Sequence, residues 1–257
     1  MKNENIIVIS ELKNNLPIHK KVIALNRNEL PILNIYPAKK NDYTSNLLSK
    51  LIDLDSPLKK NRNRYFKRTV DIAFSTFCII LIMPWLVPLL ALFIKINSKG
   101  PVFFLQKRNK QNGAVFTCIK FRTMVMNDEA DIRSTYENDE RITTVGRFLR
   151  HYHLDEIPQL INVLTGDMSL IGPRPHMLSE NILYQQMIKE YPYRNEVSPG
   201  ITGLSQSLGS FGSTNDPEKI EERLLFDLLY IKQWSVKMEL QIILRTLRTF
   251  IHAKKKA

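Results

Sequence analysis

Two cysteines in 257 residues, Cys78 and Cys118, are too few for a disulfide framework, and their scarcity suits a reducing compartment. Zinc-finger spacing, an RNP-like segment and a basic region followed by heptads are all missing, which leaves little to support a nucleic-acid-binding module. There is no internal repeat. With 44% hydrophobic and 24% charged residues, the chain is neither disordered throughout nor a fully membrane-embedded bundle. Acidic residues are the short side of the charge balance: 25 Asp and Glu face 37 Lys and Arg, a formal net of +12. Such an excess calls for a polyanionic partner, whether nucleic acid, an anionic membrane surface or a phosphorylated substrate.

The excess is unevenly placed. Residues 59–110 carry eleven basic side chains and one acidic, and residues 232–257 carry seven and one. Residues 111–231 are acidic, with eleven basic against seventeen acidic side chains. The first basic region is split by residues 72–94, 23 residues without a charge. As a straight helix this run would span roughly 35 Å, against about 30 Å for a bilayer core. Pro84 and Pro88 interrupt it, however, and an interior proline removes a backbone hydrogen bond and kinks a helix. Both flanks are basic, with Lys59, Lys60, Arg62, Arg64, Lys67 and Arg68 before and Lys95, Lys99, Lys107, Arg108 and Lys110 after. Basic flanks favour the cytoplasmic side, so a helix over about residues 70–96 that enters, bends at the prolines and returns to the same face satisfies both. A single crossing and a buried core helix are the alternatives. A signal peptide does not fit a run that begins some seventy residues into the chain.

The remainder predicts an α+β protein, mostly helical. Residues 102–106 and 115–120 read as strands joined through Asn112-Gly113, a strong hairpin signal. Residues 127–140 are acidic and polar, a loop or short helix. Pro158 is placed for the first turn of a short helix ending before Gly166. Further helices are predicted over residues 177–191 and 218–233, with a glycine-bearing loop over 199–212 between them. In residues 240–251 the apolar positions Leu240, Ile243, Leu244, Leu247, Phe250 and Ile251 follow helical spacing, and Lys254, Lys255 and Lys256 come next. That helix suits an anionic lipid surface and, equally, packing on the domain's own core. Residues 1–60 read as a partly ordered extension and residues 61–257 as the functional domain.

The residues able to carry chemistry gather in the acidic segment. Asp155 and Glu156 precede Pro158, close to the start of the predicted helix, where negative charge is stabilised. Both are expected to be ionised, which suits a nucleophile or a magnesium ligand, and also a plain capping pair. Gly172-Pro173-Arg174-Pro175 sets an arginine between two prolines, a stiff loop that can hold a guanidinium against phosphate. Lys120-Phe121-Arg122 closes the hairpin with two cations. His151 and His153 lack the further ligand spacing of a zinc site.

Six segments occur in a fixed order: GPVFF (100–104), KFRTM (120–124), GRFLR (146–150), LDEIPQL (154–160), GDMSLIGPRP (166–175) and PGITGL (199–204). Together they resemble the bacterial sugar transferase family, the monotopic polyprenyl-phosphate phosphoglycosyl transferases, over about residues 61–252. The resemblance implies a nucleotide-diphosphate-sugar donor, usually a UDP-sugar, an undecaprenyl phosphate acceptor, Mg2+, and a proline-kinked re-entrant helix on the cytoplasmic face of the bacterial inner membrane. It implies that Asp155 is the nucleophile that takes up the sugar-bearing phosphate and that Glu156 is a magnesium ligand. It further implies that Lys120, Arg122, Arg150 and Arg174 hold phosphate oxygens, and that Asp227 with Tyr230 shapes the donor pocket. Three features depart from the family pattern. His151–His153 replace a short hydroxylated stretch, Ser210 stands where arginine is common, and the N-terminal extension matches no family element. Those departures also suit a different class of protein, a catalytically idle docking protein on the membrane surface.

Overall fold

The computed structural model describes residues 42–129, 135–136, 139–210, 214 and 216–253. The chain divides into two units, residues 1–47 and 48–257. The extension expected over residues 1–60 lies outside the described residues as far as residue 41. Helix α1 (Asp42–Ile52) and a 3-10 turn (Pro57–Lys59) follow it. Much of the acidic 127–140 stretch also lies outside the described residues, as do Lys254–Lys256.

Residues 72–94 contribute to two helices, α2 (Asn61–Leu81) and α3 (Met83–Asn97), bent by 62° at Ile82. Pro84 falls in the first turn of α3, where its missing N–H costs nothing, and α2 stops before it. Pro88 sits inside α3 without breaking it, so one proline of the two makes the bend. Among the described residues no single helix is long and apolar enough to cross a membrane. Helix α2 is packed inside out. Lys67, Asp71, Ser75 and Cys78 form its buried stripe, while Ile72, Phe74, Phe77, Ile80 and Leu81 are exposed. Asp71 Oδ1 accepts from Ser169 Oγ and from the Leu170 N–H, both at 3.0 Å.

Strands β1 (Phe103–Asn109) and β2 (Val115–Phe121) form the predicted antiparallel hairpin, in register from Phe103 opposite Phe121 to Asn109 opposite Val115. Asn112 and Gly113 both have positive φ, 59° and 74°, which is why these residue types occupy the turn. Helix α4 (Thr144–His151) is capped by the Thr143 side chain, which accepts from the Gly146 N–H at 2.9 Å. A side chain at Gly146 would collide with the Thr123 backbone, so glycine lets α4 lie against the chain leaving β2. Helix α5 (Gln159–Thr165) runs between Pro158 and Gly166, as the sequence predicts, and Gly166 ends it at φ 91°. Within α5, Asn162 mimics a neighbouring strand. Its Nδ2 donates to Thr117 O at 2.8 Å and its Oδ1 accepts from the Ile119 N–H at 3.0 Å, tying α5 to β2.

A second sheet, absent from the sequence reading, pairs β3 (Ser169–Ile171) in parallel with β4 (Gly200–Thr202). Half of the expected glycine-bearing loop is thus structured, as β4 and the helical turn α7 (Leu204–Ser207). Between the two strands lie α6 (Leu178–Met187) and a 3-10 segment (Tyr191–Glu196). Helix α8 (Pro217–Lys232) is buried on nearly every side from Leu224 to Lys232, the pattern of a central core helix. Helix α9 (Val236–Ala253) sends Met238 and Ile242 into the core, both 1% exposed. Leu240, Ile243, Leu244 and Leu247, the face expected from spacing, stay exposed. Glu239 fastens α9 to the rest: it pairs with Lys67 of α2 and accepts from Tyr230 Oη at 2.9 Å and from Trp234 Nε1 at 2.7 Å.

Candidate active site

A cavity of about 340 Å³ opens beside the Asp155-Glu156 pair. Three local decisions place that pair. His153, at φ 51°, turns the chain sharply after α4. A single 3-10 turn (Leu154–Glu156) then carries both carboxylates, 8% exposed each, ahead of Pro158. Leu154 and Ile157, on either side of the pair, pack onto Leu90, Ile94, Phe121 and Leu149. The carboxylates therefore rest on a floor shared by helix α3, strand β2 and helix α4.

The two acids differ electrostatically. Glu156 Oε1 accepts from Lys120 Nζ at 2.7 Å and from Arg174 Nη2 at 2.8 Å. Burial alone would raise the Glu156 carboxyl, but Arg174 and Lys120 outweigh it and hold it well below the usual carboxylate range. Burial and the neighbouring Glu156 charge push Asp155 up, against the pull of Lys120, Arg150 and Arg174. Both carboxylates are expected to be ionised; Arg174 and Lys120 favour that form at Glu156, whereas burial and the Glu156 charge work against it at Asp155. Asp155 makes no side-chain hydrogen bond among the described residues, and it lines the cavity.

Of the expected phosphate-binding residues, Lys120, Arg122, Arg150 and Arg174 all line the cavity. Arg150 faces it with Nε on Thr123 Oγ1 at 2.8 Å and Nη1 on Thr135 Oγ1 at 2.9 Å. Arg122 is committed differently. Its guanidinium donates to the carbonyls of Lys99 and Ser98, the latter at 2.8 Å, so it holds the chain just after α3. The structure does not bring Asp227 or Tyr230 into the cavity lining. Asp227 is buried against Arg194, at 2.8 and 3.0 Å, and Tyr230 Oη donates to Ile171 O at 3.0 Å and to Glu239. Among the departures, His153 lines the cavity, His151 is exposed, and Ser210 Oγ accepts from Arg223 Nε at 3.3 Å.

Sequence reasoning missed Arg108, His176, Glu180 and Tyr184, which also line the cavity. In the sequence Arg108 is one of the basic residues that follow the apolar run. Its side chain is buried, bonded to Gln106 Oε1 at 2.6 Å and to the Pro175 carbonyl. His176 stacks on Tyr191, its Nδ1 paired with the Tyr191 hydroxyl; burial and the surrounding arginines hold it well below the usual histidine range, hence neutral. Its place after GPRP was the one available signal.

Among the described residues no group of three His, Cys, Asp or Glu is placed to hold a metal. A divalent ion here would therefore need ligands from elsewhere. Glu156 Oε2 carries only a 3.5 Å contact from Arg174 Nη1, and Asp155 offers further oxygens. One or two carboxylates completed by phosphate oxygens and water is the usual Mg2+ donor set, so these residues fit it.

A buried carboxylate that lines the cavity beside fixed cations, over a floor that includes the bent apolar helix, suits a phosphorylated ligand. The family assignment agrees with that class: the bacterial sugar transferase model matches residues 62–253, and the chain belongs to that family. It is 46% identical over 193 residues to the UDP-glucose:undecaprenyl-phosphate glucose-1-phosphate transferase of Escherichia coli (strain K12), covering 75% of this chain and 41% of that protein. It is 42% identical over 186 residues to the protein of the same name from Caulobacter vibrioides, covering 72% of this chain and 69% of that protein. To the undecaprenyl-phosphate galactose phosphotransferase of Salmonella typhimurium it is 35% identical over 218 residues, covering 78% and 44%. The chain thus spans under half the length of two of these three relatives.

Proposed function

We propose that the protein transfers a hexose-1-phosphate from a UDP-sugar to undecaprenyl phosphate, through a covalent phosphosugar on Asp155, as the first membrane step of a surface-glycan pathway. The observation that carries this reading is the division of labour in the dyad. Glu156 is tied to Lys120 and Arg174, while Asp155 is open to the cavity.

In the first half-reaction an Asp155 carboxylate oxygen attacks the sugar-bearing phosphorus. The bond from that phosphorus to the bridging oxygen breaks, and UMP leaves with the electron pair. In the second, an oxygen of the lipid phosphate attacks the same phosphorus, releasing the Asp155 carboxylate and leaving the sugar on a lipid diphosphate. Attack of one anion on another is opposed by repulsion, which Lys120, Arg150 and Arg174 reduce at the cavity wall. Asp155 and Glu156 would hold Mg2+, which when bound supplies charge neutralisation on the diphosphate oxygens. This placement of cations also explains how an acidic catalytic segment accepts an anionic donor.

The membrane reading rests on the inside-out packing of α2 together with the exposed apolar face of α9. A buried stripe of Lys67, Asp71 and Ser75 beneath exposed Phe74, Phe77 and Ile80 is the reverse of a water-facing helix. The bent pair then enters and leaves the cytoplasmic leaflet of the bacterial inner membrane. Cysteines introduced as Arg64→Cys and Lys99→Cys are expected to react with an impermeant thiol reagent from the same, cytoplasmic, side. Labelling from opposite sides overturns the re-entrant arrangement.

The activity is tested by incubating membranes holding the protein with undecaprenyl phosphate and a panel of radiolabelled UDP-hexoses and UDP-N-acetylhexosamines. Label is expected in the lipid fraction from one donor, with UMP released in equal amount. No transfer from any donor overturns the reading in favour of a docking protein.

A further inference from the structure

The loop that carries Arg174 is gripped by two buried arginines that do not touch Glu156. Arg194, from the 3-10 segment before β4, donates Nη2 to the Arg174 carbonyl at 2.7 Å. Its Nε and Nη2 also reach Asp227 Oδ2 at 3.0 and 2.8 Å, and its guanidinium lies 5.2 Å from the Tyr191 ring centre. Both members of the Arg194–Asp227 pair are almost fully buried, with side chains 4% and 5% exposed. Arg108 of β1 donates to the next carbonyl, that of Pro175. The loop backbone is also paired with the β4 region, Gly172 N–H to Thr202 O and Gly200 N–H to Pro173 O, each at 2.9 Å. This close approach needs glycines: a side chain at Gly172, Gly200 or Gly203 would run into the backbone of the facing segment.

Stability alone is a weak reason for such a pair, because a buried ion pair is often matched or bettered by apolar residues of equal volume. Position is a stronger reason. Arg174 must meet Glu156 Oε1 at 2.8 Å and still face a phosphate, and a misplacement near 1 Å in a positioning group costs about 10²-fold in rate. Two prolines limit the loop's own torsions, but they do not fix where the loop as a whole sits. Arg194 supplies that fixed point, since one guanidinium links the core helix α8, through Asp227, to the carbonyl of the arginine that faces the dyad.

We infer that Arg194 and Asp227 are positioning residues that hold the Arg174 carbonyl and thereby aim the Arg174 guanidinium at the donor's phosphates. The inference rests on the proposed phosphosugar transfer. A lysine at position 194 keeps the charge beside Asp227 but lacks the planar fork needed to serve both partners.

The test is a double-mutant cycle on the full chain in membranes, reading UMP release as a function of UDP-sugar and of undecaprenyl phosphate. Arg194→Lys is expected to raise the donor KM about tenfold and leave the acceptor KM within twofold. A smaller folded fraction would instead scale the rate at every donor concentration without moving KM. Arg174→Ala is expected to raise the donor KM further, and Arg194→Lys added to it should change that value less than twofold. Equal, multiplicative effects in the two backgrounds overturn the inference, as does an Arg194→Lys protein with wild-type donor KM. Asp227→Asn should reproduce the Arg194→Lys kinetics; should it fail to fold, the Arg194→Lys cycle decides alone. A wild-type protein that transfers no sugar phosphate sinks the proposed function, whereas an active wild type with multiplicative KM effects in the cycle sinks only the positioning role.

Discussion

Asp155→Asn is expected to abolish both UMP release and lipid labelling, a loss of about three orders of magnitude or more, while the protein melts no lower than wild type. Removing a covalent nucleophile typically leaves only what binding and electrostatic positioning contribute. The amide keeps the shape of the side chain but has no carboxylate oxygen to form the phosphosugar bond. Stability should move the other way from activity. Burial and the Glu156 charge already work against an ionised Asp155, so a neutral side chain there relieves repulsion. Incubation with radiolabelled UDP-sugar without lipid acceptor, followed by denaturing electrophoresis, provides the check. Labelled protein is expected from wild type and not from the variant. Labelled Asp155→Asn protein would move the nucleophile elsewhere.

Glu156→Gln is expected to lose both activity and stability, with activity not recovered by added magnesium. In the folded protein Glu156 Oε1 joins Lys120 and Arg174, with side-chain exposures of 10%, 11% and 34%. Removing one partner of a buried ion pair strands the others, at a cost of about 3–5 kcal/mol. The pH dependence follows from the direction of the shift. The Glu156 carboxyl lies well below its unfolded value of 4.5, so its contribution is complete above that pH and is lost as the pH falls toward the folded-state value. The stability gap between wild type and Glu156→Gln is therefore expected to be full at pH 7 and to shrink below about pH 4.5 in denaturant titrations. A gap independent of pH would contradict the ion-pair origin, and a wild-type transfer rate would refute a metal role for Glu156.

Asp155 and Glu156 share one 3-10 turn, but the roles of the surrounding cations differ from one another. Lys120 and Arg174 serve Glu156 directly, and Arg150 faces the cavity from two threonines. Arg122 commits its fork to the Ser98 and Lys99 carbonyls just after α3. It links the bent apolar pair to the cavity wall, so the placement of those helices and the geometry of the site share one side chain.

Local chemistry was legible wherever neighbouring residues decide the outcome. Asn112-Gly113 specified the hairpin because positive φ at both positions suits those side chains. Pro158 and Gly166 bounded α5 because one lacks an N–H and the other tolerates φ 91°. Pro84 and the basic flanks announced a bent apolar element, although the second proline, Pro88, proved compatible with helix. The carboxylate pair and the arginine between prolines stood out by composition and spacing.

What lay beyond the sequence were contacts between distant segments. Strands β3 and β4 are three residues each and about thirty residues apart, too short to show a period of two. Asp227, which the resemblance assigned to the donor pocket, is paired instead with Arg194, a partner 33 residues away that only folding brings to it. The face of α9 that spacing assigned to burial or to lipid is exposed, because Met238 and Ile242 take the core positions. The sequence by itself determined the bent apolar helix, the hairpin and the chemical identity of the dyad, since each depends on torsions and charges a few residues apart. Only the tertiary structure decided which carboxylate is anchored and which is open. That difference comes from the desolvation of both acids and from two cations supplied by β2 and by the loop after β3.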